Sequence, residues 1–284
     1  MASPGDIIVF DRRSVARHRA RAAKGFATHA FLHEEIATRL LERLGDVNRV
    51  FPRALALGLD LPARPGAELT ISGPPARAPQ LLFDEEALPF APQSLDLIVS
   101  NLALHWVNDL PGALLQIRQT LRPDGLFLGA LLGGETLKEL RQAFLEAEAR
   151  VEGGASPRVS PFADVRTLGG LMQRAGFALP LVDADTITVT YADAFALMRE
   201  LRGMGETNAH VGRRKSFTRR QTLIAMAEIY RDRFGGADGR IPATFQVIYL
   251  TGWAPHDSQP KPLKPGSAQV SLVEALGRKN KSRS

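Results

Sequence analysis

Side chains able to do chemistry cluster in a few places along the 284 residues. Asn101, His105 and Trp106 follow the apolar run Leu95–Ser100. An imidazole that titrates near neutral pH can shuttle a proton, and an indole can wall a pocket. The competing reading is that His105 and Trp106 only pack their loop on the next helix. The stretch Gly203–Arg214 (GMGETNAHVGRR) carries Glu206, Asn208, His210, Arg213 and Arg214. Its arginines suit bidentate recognition of a substrate carboxylate, or pairing with acids of a partner. A solvated turn between helices is the alternative. His29 and His33 stand four apart, a spacing that zinc uses on one helix face. No third ligand completes a known pattern, Glu34 does not recreate HExxH, and no two-His-one-carboxylate signature is present. No metal site is therefore expected, and no serine nucleophile elbow is found. Thr136, with Glu139 three residues on, reads as a helix cap and capping box.

Composition narrows the chemistry further. With no cysteine, a disulfide scaffold, a Cys-ligated metal and a thiol nucleophile are excluded. The longest apolar stretch, around Leu126–Leu132, falls far short of the roughly 20 residues of a membrane helix. The start, MASPGDIIVFDRR, lacks the pattern of a signal peptide. A soluble protein of the cytoplasm is expected, with contact at the inner face of the membrane through the basic tail as a further reading. The net charge is +6, and residues 258–284 hold six basic residues against one acid, Glu274. A second basic stretch runs from Arg12 to Lys24. Such clusters attract nucleic acid, an acidic carrier protein or anionic lipid. No aromatics interleave them, so a solvated tail is favoured and no specific nucleic acid is expected.

These residues need elements to hold them. Apolar spacings of three and four predict helix over 12–43. Strand-length runs follow at Ala54–Leu59, Glu68–Ser72, Gln80–Phe83, Leu95–Ser100 and Leu126–Leu132. Between the last two, Asn108 or Asp109 caps a helix with Pro111 in its first turn, which stops at the turn Arg122-Pro123-Asp124-Gly125. Strand, helix, turn, strand is a βαβ unit. Helices are predicted at Thr136–Glu152, Val165–Ala175, Asp193–Arg202 and Arg219–Phe234, and strands at Asp185–Tyr191 and Ala243–Trp253. The alternation predicts an α/β fold with a doubly wound, mostly parallel sheet. The organisation expected is an N-terminal helical segment over 1–50, an α/β domain over 51–257 with a helical cap at about 192–236, and a basic tail over 258–284.

Several strings then carry a resemblance. Pro89-Phe90, Leu95-Asp96-Leu97-Ile98-Val99-Ser100-Asn101, His105-Trp106 and Leu121-Arg122-Pro123-Asp124-Gly125 resemble class I S-adenosylmethionine (SAM) methyltransferases, of Rossmann-like fold. More narrowly, Ile8-Val9-Phe10-Asp11-Arg12, Leu104-His105-Trp106-Val107-Asn108-Asp109-Leu110, Gly133-Gly134-Glu135-Thr136-Leu137, Ser160-Pro161-Phe162, Gly203-Met204-Gly205-Glu206-Thr207-Asn208 and Pro242-Ala243-Thr244-Phe245-Gln246 resemble one branch. It holds the mitochondrial and α-proteobacterial assembly factors of respiratory complex I. That branch is similar to the biotin-pathway enzymes that methylate malonyl-acyl carrier protein, and its mitochondrial members are associated with arginine hydroxylation. The resemblance implies SAM as cofactor and a protein partner, either a complex I subunit or an acyl carrier protein. It makes Asn101, His105 and Trp106 candidate catalytic residues. It also makes Gly58, Asp60, Asp84, Glu85 and Asn101 candidate cofactor contacts, with Asp84 at the position that faces adenine. A non-catalytic assembly chaperone on the same fold is a further alternative.

The cofactor half is short for this fold. One glycine, Gly58, stands where the family has several, and the second strand ends in Ser72-Gly73-Pro74-Pro75 with no carboxylate. Eight residues, Asp60–Ala67, separate the first two strand candidates. A helical parallel crossover needs about ten to twelve or more. Only 25 residues, five of them proline, lie between Gly58 and Asp84. This half is expected to be pared down or rebuilt as loop, and SAM binding to be weak or absent.

Overall fold

Four aspartates, Asp11, Asp109, Asp164 and Asp193, each accept the backbone N–H three residues on, and each opens a helix. The computed structural model describes residues 8–62, 65–73 and 80–260. In chain order its elements are α1 (Arg12–Ala22), α2 (Phe31–Gly45), β1 (Arg53–Leu57), β2 (Leu69–Gly73), β3 (Leu95–Asn101), α3 (Leu110–Thr120), β4 (Leu121–Leu132), α4 (Lys138–Glu152), α5 (Val165–Arg174), β5 (Ala178–Tyr191), α6 (Ala194–Met204), α7 (Arg220–Phe234) and β6 (Ile241–Trp253). Short 3₁₀ turns occupy Phe26–Thr28 and Leu104–Trp106.

The sheet order is β2-β1-β3-β4-β6-β5. β1, β2, β3 and β4 pair in parallel, and β6 runs antiparallel to both neighbours. This is the mostly parallel, Rossmann-like sheet expected. Both faces are covered, which accounts for the uninterrupted apolar run of β3. On one face Leu97 and Val99 pack with Leu32, Ile36 and Leu40 of α2 and with residues of α4, α6 and α7. On the other, Leu95 and Ile98 pack with Leu114 and Ile117 of α3 and with Leu168 and Met172 of α5.

Several expectations are corrected. The single helix over 12–43 is broken: α1 ends at Ala22, and Gly25 with the Phe26–Thr28 turn redirects the chain before α2 starts at Phe31. His29 therefore lies in this turn, not on a helix face with His33. Gln80–Phe83 is not a strand; its only register with β2 is Gln80 N–H and Leu81 N–H donating to the Ser72 carbonyl at 2.8 and 3.2 Å. The turn Arg122–Gly125 is absorbed into β4 as a bulge, with Asp124 at φ +64° and a jump in register from Leu95–Leu121 to Leu97–Leu126. The capping box is not formed. Leu137, at φ +54°, precedes α4, while Thr136 Oγ1 bonds the Gln246 backbone and Glu139 accepts from Thr244 N–H and Oγ1. The strand β6 has taken both side chains that a local cap would have used.

The shortened cofactor half is present. Residues 58–68 connect β1 to β2 with no helix among those described. The basic tail falls outside the described residues beyond Pro260, as do Pro74, Pro75 and Pro79.

Candidate functional site

The carboxyl ends of β1, β3 and β4 point to one edge, where ligands of open α/β sheets bind. Asn101 closes β3 there. Its Nδ2 donates to the His33 carbonyl (2.9 Å) and to the Gly58 carbonyl (3.3 Å), while its buried Oδ1 has no hydrogen-bond partner. Gly58 sits at φ +72°, turning the chain off β1. Asp60 accepts from Ser72 Oγ at 3.2 Å.

Beyond Asn101 the Leu104–Trp106 turn buries His105 and Trp106. Both meet Glu206: His105 Nε2 lies 2.9 Å from Glu206 Oε2, and Trp106 Nε1 donates to the same oxygen at 2.9 Å. Glu206 Oε1 faces His33 Nε2 at 3.8 Å. Phe10 and Phe162 pack edge-on to the indole, with ring centroids 5.3 and 5.6 Å away. Burial opposes ionisation of Glu206, but His105, His33 and Arg19 outweigh it and hold its carboxyl down at about 2. Burial pushes His33 down to about 4, against the pull of Glu206. Glu206 is therefore an ionised carboxylate beside a neutral His33 at neutral pH.

α1 lies across this edge. Arg12 Nη2 donates to Asp84 Oδ1 (2.7 Å) and Glu85 Oε2 (2.5 Å), and Arg12 Nη1 to the Trp106 carbonyl (3.2 Å). Arg19 Nη1 donates to the other Glu85 oxygen at 2.5 Å. Glu85 is only 3% exposed. Asn108 Oδ1 receives the Val9 and Phe10 amides, and Asp11 N–H donates to the Ala209 carbonyl.

On the far side of Trp106 a cavity of about 440 Å³ opens between α1, α4 and α6. Leu137, Leu140 and Phe144 line it from one side, Met198 and Leu201 from the other, and Glu206 and Trp106 line it too. Arg21 and Arg202 are among its cationic lining; burial and the charge of Arg202 together lower the Arg21 pKa.

The structure thus brings His105, Trp106 and Glu206 together, and joins Asp84 and Glu85 to Arg12. The other loop residues are engaged within the chain. Asn208 bonds Ser160 Oγ and the Pro157 carbonyl, Arg213 pairs with Asp11, and Arg214 pairs with Glu152. Sequence reasoning missed Arg12, Arg19 and His33 as parts of this edge. Arg12 and Arg19 are seven apart, two turns of one helix face, and that spacing was the available signal. Among the described residues no group of three or more His, Cys, Asp or Glu side chains could hold a metal ion.

The fit to SAM can be tested on these residues. An adenosyl group needs a carboxylate for the ribose hydroxyls and room beside the second strand. β2 ends in Gly73, where even a Cβ would lie 2.8 Å from the Phe83 ring and from Leu57 Cδ2. Asp84 and Glu85 are held by guanidinium groups, and Leu59 is buried where close backbone approach is required. The described residues do not fit the nucleoside.

Sheet order and edge define a methyltransferase-type domain, and the chain belongs to the methyltransferase-domain family, whose model ("Methyltransferase domain") matches residues 6–181. Within it, the chain is 42% identical over 288 residues to "Arginine-hydroxylase NDUFAF5, mitochondrial" of Danio rerio, covering 94% of this chain and 89% of that protein. It is 42% identical over 298 residues to the Homo sapiens protein of the same name, covering 98% and 86%. A malonyl-[acyl-carrier protein] O-methyltransferase of Xylella fastidiosa is 36% identical over 273 residues, covering 87% and 89%. Among the described residues no helix is long and apolar enough to cross a membrane.

Proposed function

We propose that this protein acts on a polypeptide in the assembly of respiratory complex I, receiving a basic side chain of that partner in the cavity at Glu206. The observation that carries this reading is the ionised, desolvated carboxylate of Glu206 in the wall of a largely apolar cavity. Its Oε2 is engaged by His105 and Trp106, and its Oε1 faces His33 at 3.8 Å, beyond hydrogen-bond range. A carboxylate held this way pairs strongly with a guanidinium. His105 and Trp106 orient the carboxylate, and Phe10 and Phe162 fix the indole. The cationic rim at Arg21 and Arg202 favours a segment with an acidic residue beside the basic one. The printed name of the relatives at 42% identity, arginine-hydroxylase, supports a side chain of this class.

Methylation of a malonyl carrier is less well supported. The arginines that would bind its carboxylate, Arg213 and Arg214, are spent on Asp11 and Glu152.

The test is complex I assembly in a knockout strain complemented by wild type or Glu206→Gln, with binding of arginine-containing peptides from the partner measured by fluorescence anisotropy. Removing one partner of a buried charge pair costs about 2–5 kcal/mol, so E206Q should weaken binding at least about 30-fold and fail to restore assembly. Peptide binding by E206Q equal to wild type refutes the reading.

A further inference from the structure

We infer that this chain has converted the nucleoside end of its fold's cofactor cleft into a docking face for its own N-terminal helix, and that it folds and works without binding SAM. The inference rests on Asp84, Glu85, Phe83 and the β1–β2 connection, with no use of the Glu206 carboxylate, and stands apart from the reading above.

Three features of the edge lead to it. First, the two acids placed to read a nucleoside, Asp84 and Glu85, are both salt-bridged to α1. Both Glu85 oxygens are used, one by Arg12 and one by Arg19, each at 2.5 Å. At 3% exposure Glu85 has little water to fall back on if the arginines leave. Second, the end of β2 is filled. Phe83 sits where a Cβ on Gly73 would lie 2.8 Å from its ring, and that ring also packs edge-on with Phe90 at 5.7 Å. A ribose placed there would have to displace the Phe83 ring from its contact with Phe90. Third, residues 58–68 join β1 to β2 without a helix among those described, so the helix N-terminus that this fold aims at its cofactor is missing.

The docking is stitched from more than the two arginines. Asn108 takes the Val9 and Phe10 amides at 2.9 and 2.7 Å, Arg213 ties Asp11 and Ser14, and His18 Nδ1 contacts the Thr207 carbonyl at 3.0 Å. Phe10 buries itself against Trp106. A helix anchored on both flanks is a wall of the molecule. It is not built as a lid that a cofactor lifts on entry.

The experiment titrates the full-length protein with S-adenosylhomocysteine and with SAM by calorimetry, for wild type and for Arg12→Lys/Arg19→Lys and Arg12→Ala/Arg19→Ala. Hydrogen exchange of residues 13–22 is followed in parallel. The expected result is no saturable heat with either ligand up to about 1 mM for any of the three. Exchange in α1 should be at least tenfold faster in the alanine variant. Stoichiometric binding by wild type overturns the inference. So does binding that appears only in an arginine variant, because α1 would then be a gate over an intact site. Unchanged exchange in the alanine variant overturns the docking role of the arginines. Should that variant not fold, the lysine variant, which keeps the charges, carries the titration. Peptide binding through Glu206 is read separately, so failure of one reading leaves the other standing.

Discussion

Glu85→Gln gives the sharpest test of how the edge is held. The substitution keeps the shape of a buried side chain and removes the charge that both Arg12 and Arg19 meet. Breaking a buried ion pair by neutralising one partner typically costs about 3–5 kcal/mol. Each arginine keeps 22% of its side-chain surface exposed, so water recovers part of that and about 2–4 kcal/mol remains. For a domain of this size the melting temperature should fall by roughly 5–15 °C. The pH dependence adds a second constraint. Burial alone would raise the Glu85 pKa, but Arg19 and Arg12 hold it below its ordinary value. A carboxyl depressed in the folded state stabilises above its unfolded pKa, about 4.3, and that stabilisation is lost as pH falls through the lower folded value. The gap between wild type and E85Q should therefore be flat from about pH 5 to 8 and should narrow below about pH 4. Urea denaturation followed by circular dichroism at several pH values measures it. A difference under about 0.5 kcal/mol at pH 7, or one that does not shrink in acid, refutes the account.

Two further outcomes follow from neighbouring contacts. Trp106→Phe keeps the ring packing against Phe10 and Phe162 but removes the indole N–H from Glu206, so it should cost about 1–3 kcal/mol in denaturation and weaken peptide binding. Binding and stability both unchanged would show that this hydrogen bond has no role. Gly203→Ala puts a Cβ 2.2 Å from the His29 ring, whose Nδ1 bonds Glu200 at 2.7 Å; displacing that imidazole should destabilise by about 1–3 kcal/mol. Differential scanning calorimetry reads the shift, and an unchanged melting temperature would mean the turn before α2 yields freely.

How much of this was legible in the sequence depends on how local the signals are. The helix α3 was readable because Asp109 caps it, Pro111 sits in its first turn, and Pro123 prevents continuation. The strand β3 was readable because a run buried on both faces leaves no polar alternation. Thr136 and Glu139 have the spacing of a local capping box, yet Gln246 and Thr244, more than a hundred residues on, claim both. The basic stretch Arg12–Lys24 reads as a solvated charge run, but Arg12 and Arg19 find Glu85 at separations of 73 and 66 residues. Glu206 and His105 are 101 residues apart. No period in a sequence encodes such pairs; the sheet must form first to bring them within reach. The shortage of chain ahead of Asp84 was legible, because contour length is additive and needs no partner.

The position of β6 constrains how this molecule is made. It is the last strand among the described residues, yet it lies between β4 and β5, pairing from Leu126 to Leu132 on one side and along β5 on the other. As the polypeptide leaves the ribosome, β5 emerges complete at Tyr191 with no neighbour to accept it. Some fifty further residues must appear before Ile241 begins to fill the gap. Until then two long strand borders stand open on the nascent chain, which are templates for mispairing with other chains. Completion of the sheet is thus a late, single event, and a polypeptide cut short before β6 would keep both borders bare.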